Sequence, residues 1–214
     1  MAGSIIPGIL GMNPFSSNIQ SQQGTLSNSS TPINIGSNII PFAGKRTIAS
    51  VTKDWELPNP TNTPAITING KTLAEAFAAL NRLPQWGQGG GTLKTDPIPL
   101  GDTTDLDVKL YANLVLRLPT WTGYQAASKA AQNEWDNMLA KLRIHEQRHV
   151  DIAIEEANAL ASELIGKDIN KIPSLVTNAN ATMLKRQRAL DKDTDHGAKP
   201  GVPYGDVILD ASIT

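Results

Sequence analysis

Apolar and polar residues alternate most cleanly between Val108 and Leu118. Val108, Leu110, Ala112, Leu114, Leu116 and Leu118 fall on one side; Lys109, Tyr111, Asn113 and Arg117 fall on the other, with Val115 the exception. A period of two predicts a strand with one buried face, and Pro119 stops it. Beyond it the period changes. Trp135, Met138, Leu139, Leu142, His145, His149, Ile152, Ala153 and Leu160 recur largely at three- and four-residue steps. That spacing predicts a long helix with one inward stripe. Thr122-Gly123-Tyr124-Gln125 has the capping-box spacing for its start, and Gly166 is its expected stop. A second helix is expected to open at Pro173 and run to about Leu190.

Upstream, Thr47 to Lys53 reads as a strand and Pro58 to Pro64 as a loop, because proline removes a donor and fixes φ. Ala65 to Ile68 reads as a short strand followed by a tight turn at Asn69-Gly70. Thr72-Leu73-Ala74-Glu75 has capping-box spacing, with Leu73, Phe77 and Leu80 behind it on one helical face that ends before Pro84. The run Gly87-Gln88-Gly89-Gly90-Gly91, with Lys94-Thr95 after it, raises a phosphate cradle. Leu93 rather than Gly precedes Lys94, and Pro97 and Pro99 oppose a helix there, so the run is expected to be a flexible loop. The segment after the second helix is irregular, apart from a short apolar stretch at Val207 to Leu209.

Composition narrows the function classes. A net charge of -1 does not point to nucleic acid or an anionic membrane surface, and no apolar run reaches the roughly 20 residues that span a bilayer. With no cysteine, disulfides and thiolate ligands are excluded, so any metal site must be built from His and carboxylates. Residues 1–44 contain no Asp, Glu, Lys or Arg, and they lack the basic start and long apolar block of a Sec-type signal. They are expected to be an uncharged leader: a flexible tail, or an address or docking segment for export or injection machinery, with isolated Ile pairs as its apolar grip. A single domain is expected over residues 45–214.

The candidate chemistry lies on the inward stripe. His145-Glu146-Gln147-Arg148-His149 places two imidazoles four residues apart on one helical face with a glutamate beside the first. Two such histidines can hold one metal ion. In the expected roles His145 and His149 are ligands of Zn2+, and Glu146 is the general base that takes a proton from a metal-activated water. Glu156, seven residues past His149, stands about 10 Å further along the axis and suits a salt bridge better than a shared ion. His196 is favoured as third ligand, with Asp191, Asp193 or Asp195 as carboxylate alternatives. Asp191, Asp195 and Glu156 are also candidates to accept the second N–H of a ligating imidazole.

The segments Leu114 to Trp121, Glu134-Trp135-Asp136 and Leu142 to Ala153 resemble a bacterial family of predicted secreted zinc-dependent proteases, catalogued as a domain of unknown function. Leu190-Asp191-Lys192-Asp193-Thr194-Asp195-His196-Gly197 is similar to its second motif, Asp-x-x-Thr-x-His-Gly. The resemblance covers about Lys45 to Gly201 and leaves the leader unmatched. It implies an α+β, zincin-like fold in which a small, mostly antiparallel sheet packs on a long active-site helix and a second C-terminal helix. It also implies bacterial origin, a ligand role for His196, and a peptide or protein substrate captured along the Val108 to Leu118 strand by strand addition. The family often has Tyr where this chain has Leu190, which passes any oxyanion role to another donor such as Tyr204 or Arg148.

The resulting expectation is a zinc endopeptidase, exported without a cleaved Sec-type signal as an effector. Two other readings stand beside it: a binding or structural protein whose zinc site staples two helices, and a hydrolase of a cell-wall amide.

Overall fold

The computed structural model describes residues 46–58, 65–99 and 105–214. The expectations for residues 1–44 and for the loop at residues 59–64 lie outside the described residues. In chain order the elements are β1 (Thr47–Asp54), β2 (Ile66–Ile68), α1 (Leu73–Leu80), β3 (Gln88–Pro99), β4 (Asp105–Arg117), β5 (Pro119–Trp121), α2 (Lys129–Leu164) and α3 (Ile172–Thr194). The class is mixed α+β. A three-stranded sheet has the order β1-β4-β3, and β2 pairs with β5 in a separate two-stranded ladder.

Strand direction differs from expectation. β3 runs antiparallel to β4, but β1 runs parallel to β4 and β2 parallel to β5, so the larger sheet is mixed and the smaller one parallel, rather than mostly antiparallel. The Asn69-Gly70 turn therefore does not fold β2 into a hairpin. Its ladder partner arrives some fifty residues later, after Pro119 has broken β4 and redirected the chain.

The glycine-rich run is the largest departure. It is not a loop but the opening of β3, with Gly89, Gly90 and Gly91 paired to Leu116, Val115 and Leu114 of β4. A local reading gives glycine a low strand propensity. Here a complete ladder and the close approach of a helix override it.

Capping explains the helix boundaries. Thr72 Oγ1 accepts from the Glu75 N–H at 3.2 Å, as the capping box requires, while the Glu75 carboxylate accepts from the N–H of Lys71 at 2.6 Å. The long helix starts later than expected. Thr122 to Gln125 falls in a turn and a 3-10 segment (Tyr124–Ala126), and the cap of α2 is Ser128, whose Oγ accepts from the Ala131 N–H at 3.1 Å. Gly166, at φ +77°, follows the end of α2 and donates to Ile48 O at 2.8 Å, tying the helix end to β1.

Three apolar clusters lie along α2. Trp135, Met138 and Leu142 pack with Ile68, Leu73, Leu80 and Trp121, and with Val207 and Leu209 of the C-terminal segment. Further along, Ala157, Leu160 and Leu164 pack with Ile48, Leu93, Val108, Leu110 and Ala112 of the larger sheet. The histidines fall in the stretch between these two, next to the third and smallest cluster of Ile152, Ala153 and Met183. Among the described residues no helix is long and apolar enough to cross a membrane.

Candidate metal centre

α2 is free of glycine and proline over all 36 residues, so its helical hydrogen-bond ladder is uninterrupted through the motif. His145 and His149 therefore stand one turn apart on the buried face, with relative exposures of 3% and 7%. Their rings meet edge to face, and their Nε2 atoms are 3.3 Å apart. The second nitrogen of His145 has a fixed role. Nδ1 lies 3.0 Å from the carbonyl oxygen of Tyr204, which can only accept, so Nδ1 carries the proton and a neutral ring presents its Nε2 lone pair to His149.

The facing wall comes from the last turn of α3. That helix runs one turn beyond the expected end at Leu190, which puts Asp191 on the helix and aims its carboxylate at the histidines. Asp191 Oδ1 is 3.0 Å from His149 Nε2 and 3.6 Å from His145 Nε2. The ligand atoms of His145, His149 and Asp191 all lie within 4.8 Å of one another. Two imidazole nitrogens and a carboxylate oxygen, one imidazole already oriented by a carbonyl, form a donor set suited to a divalent cation. The residues present fit a metal ion.

His196, the favoured third ligand, lies beside this group rather than inside it. Its Nδ1 is 3.9 Å from Asp191 Oδ1, and its side chain is 46% exposed. Asp193 and Asp195 are exposed and stand outside the converging set. Glu156 pairs with Arg186 Nη1 at 2.5 Å, and Arg186 also bonds Glu155, so these carboxylates join α2 to α3. Arg148 pairs with Glu155 at 2.6 Å and lies 5.8 Å from the Tyr204 ring centre.

The chain beyond α3 closes the site by an unusual backbone path. Asp195, His196 and Gly197 are all left-handed, at φ 50°, 54° and 86°. The turn is held by Thr194, whose Oγ1 donates to Leu190 O and accepts from the Gly197 N–H. Gly197 then passes flat against His145: a Cβ there would come within 3.3 Å of the ring. The Val207 N–H donates to Gly197 O at 2.9 Å, which brings Tyr204, itself at φ 64°, over His145.

Glu146 faces β3. It is 7% exposed; burial pushes its carboxyl above the ordinary glutamate range, against the pull of the two imidazoles. The backbone N–H of Gly89 favours the charged carboxylate, more weakly than the imidazoles do. For Asp191, burial opposes the charge, but the imidazoles facing it outweigh that and hold the carboxyl well below the usual range. Burial alone would lower the His145 pKa. Asp191, Glu146 and the Tyr204 carbonyl outweigh that effect and raise it.

Residues 65–197 match a family described as bacterial protein of unknown function (DUF922). The chain belongs to this family. The DUF922 match runs from the start of β2 to Gly197, and so takes in Glu146, the converging His145, His149 and Asp191, and His196 beside them, but not Tyr204. No curated protein and no solved structure matches the chain.

Sequence reasoning weighed Asp191 only as an alternative and missed the part played by Gly87 and Gly89. It also placed substrate on β4, one edge of which is paired with β3 from Leu106 to Arg117 and the other with β1 only as far as Tyr111. The outer edge of β3 is engaged at Leu93, whose N–H donates to Asn180 Oδ1 and whose carbonyl accepts from Asn180 Nδ2, both at 3.0 Å.

Proposed function

We propose that the protein is a zinc-dependent endopeptidase with a zincin-like active-site helix. The observation that carries this reading is the buried Glu146 carboxylate, next in sequence to one member of a converging His145, His149 and Asp191 set. Imidazole and carboxylate donors without thiolate suit zinc. Those three residues would hold the ion, with His196 at its exposed side. Bound there, zinc would supply Lewis-acid polarisation of a carbonyl and acidification of water.

The chain's own groups supply the rest. Glu146, its proton affinity raised by burial, accepts a proton from the attacking water and returns it to the leaving amide nitrogen. The Tyr204 carbonyl keeps His145 in one tautomer and one orientation. Core clusters on either side of the motif fix the helix, so that these groups do not have to be ordered during the reaction.

Glu146→Gln tests the mechanism. It keeps the shape and the ligands but cannot carry the proton, so zinc binding is retained and the peptide hydrolysis rate falls about 10²–10⁴-fold. Full activity in that variant overturns the mechanism.

The 3.9 Å approach of His196 to Asp191 favours one second reading, a closed four-ligand site that staples α2 to α3. In that case zinc raises the melting temperature while neither the parent nor Glu146→Gln hydrolyses peptides.

A further inference from the structure

The glycine-rich run reads as a loop in sequence and is a strand in the fold. Neither description says why glycine is needed there. Gly89 and Gly91 are alternate positions on one face of β3, Gly87 just before the strand continues the spacing, and all three lie against α2. At Gly87 a Cβ would come within 2.7 Å of Glu146 Oε1 and 2.8 Å of its Cγ. At Gly89 it would fall 2.0 Å from the Glu146 carbonyl oxygen, a collision with the backbone that no rotamer change relieves. At Gly91 it would meet Leu114 and Ala153 at 3.0 and 3.3 Å.

The two tightest approaches are thus to one residue, and that residue carries the only carboxylate of the His-Glu-x-x-His motif. A second, separate influence points to the same residue. The Gly89 backbone N–H favours the charged form of the Glu146 carboxylate. Glycine-rich segments approach anions closely because they lack side chains and expose N–H groups. Here the anion is not a phosphate but a side chain of the same chain.

We propose that the glycine-rich entry to β3 is the positioning element for Glu146: the bare Cα atoms of Gly87 and Gly89 leave the space that its carboxylate and its helical turn occupy, and set where that carboxylate stands. Glycine is required at Gly87 for the carboxylate and at Gly89 for the helix backbone. The catalytic meaning of the clamp rests on the peptidase reading, while its existence does not.

The experiment uses the full chain, 15N-labelled, with the amide resonance of Gly89 as the reporter. Glu146→Gln replaces a charged acceptor with a neutral one, so the Gly89 amide proton should move upfield. Gly87→Ala pushes the carboxylate aside without touching the Gly89 backbone, and the same amide should move in the same direction. Zinc affinity in Gly87→Ala should stay within about tenfold of the parent, since no ligand or orienting partner is altered. Its kcat should fall by up to about 10²-fold with KM little changed. Glu146→Asp, which withdraws the carboxylate by one methylene with no steric load, repeats the measurement should Gly87→Ala fail to fold.

A Gly89 amide that stays in place in Glu146→Gln and in either of the other variants overturns the clamp, whatever the activity. A loss of zinc affinity in Gly87→Ala as large as its loss of kcat overturns it too, because the strand would then be supporting the whole centre. If the parent hydrolyses no peptide but the amide moves as expected, the clamp stands and the peptidase reading falls.

Discussion

His145, Glu146 and His149 stand on an uninterrupted helix, whereas Asp191, His196 and Tyr204 stand where a helix ends and the backbone turns left-handed. The first group is placed by local geometry. Any sequence that forms α2 puts its two imidazoles one turn apart on a buried stripe. The second group is placed by tertiary contacts alone: Arg186 against Glu155 and Glu156, Thr194 folding the turn back, Val207 pinning Gly197. Asp195, His196, Tyr204 and Asp206 all take positive φ without being glycine, at roughly 1–2 kcal/mol each. Such conformations persist only where the surroundings over-determine them, and they cluster at functional sites. The difference assigns the histidine pair to the fold and the rest of the centre to the closure of one segment over it.

Ligand truncation attacks this contrast most strongly. His149→Ala and Asp191→Ala each remove a donor of the converging set, and each should cost more than about 100-fold in zinc affinity by competition with a chelator. His196→Ala should cost about 10–100-fold, the range for a group that supports ligands without belonging to the set. A His196→Ala loss equal to that of His149→Ala, with Asp191→Ala mild, would reverse the order of the third and fourth donors.

The same contrast explains what could be seen in the sequence. The α2 half is a periodicity, and His145, Glu146 and His149 can be placed on one buried face from spacing alone. β1 and β4 were equally legible, as alternation or strand-forming composition between breakers. The α3 half is not periodic. Ending that helix at Leu190 leaves Asp191 in a loop, where one carboxylate among three looks like its neighbours; one further turn sets it apart. β3 was hidden for another reason. Its glycines are there because Glu146 approaches within the volume of a methyl group, and a contact between residues nearly sixty positions apart leaves no mark on local propensity. Parallel pairing of β1 with β4 and of β2 with β5 is likewise a long-range choice that alternation cannot report.

Gly197 separates backbone strain from contact with the centre. At φ +86°, with a Cβ position 3.0 Å from Val207 and 3.3 Å from the His145 ring, Gly197→Ala meets both problems. Gly201, at φ +71°, has nothing within 4 Å of its Cβ position, so Gly201→Ala meets only the first. Both should lose about 1–2 kcal/mol of stability in thermal unfolding. Only Gly197→Ala should also weaken zinc binding, because only there is the imidazole displaced. Equal zinc affinities in the two variants would show that the segment closes on the site without bearing on His145.

The smallest effect concerns the docking of α3 on α2. Glu155 accepts from Arg148 and from Arg186, and these bonds hold its carboxyl below the ordinary glutamate range. A carboxyl lowered in the folded state stabilises the fold fully above the ordinary glutamate range. That contribution is lost as pH falls through the lowered folded-state value. The side chain is 45% exposed, so solvent screens the pairs and the contribution is about 0.2–1 kcal/mol. Glu155→Gln should therefore lower neutral-pH stability by that amount in denaturant unfolding and leave it unchanged in acid. Arg186 keeps Glu156 as a partner, which holds the helices in register, so zinc affinity should stay at the parental value. A zinc affinity that drops with Glu155→Gln would mean that the position of Asp191 depends on this rim of charges and not on the turn at Thr194 and Gly197.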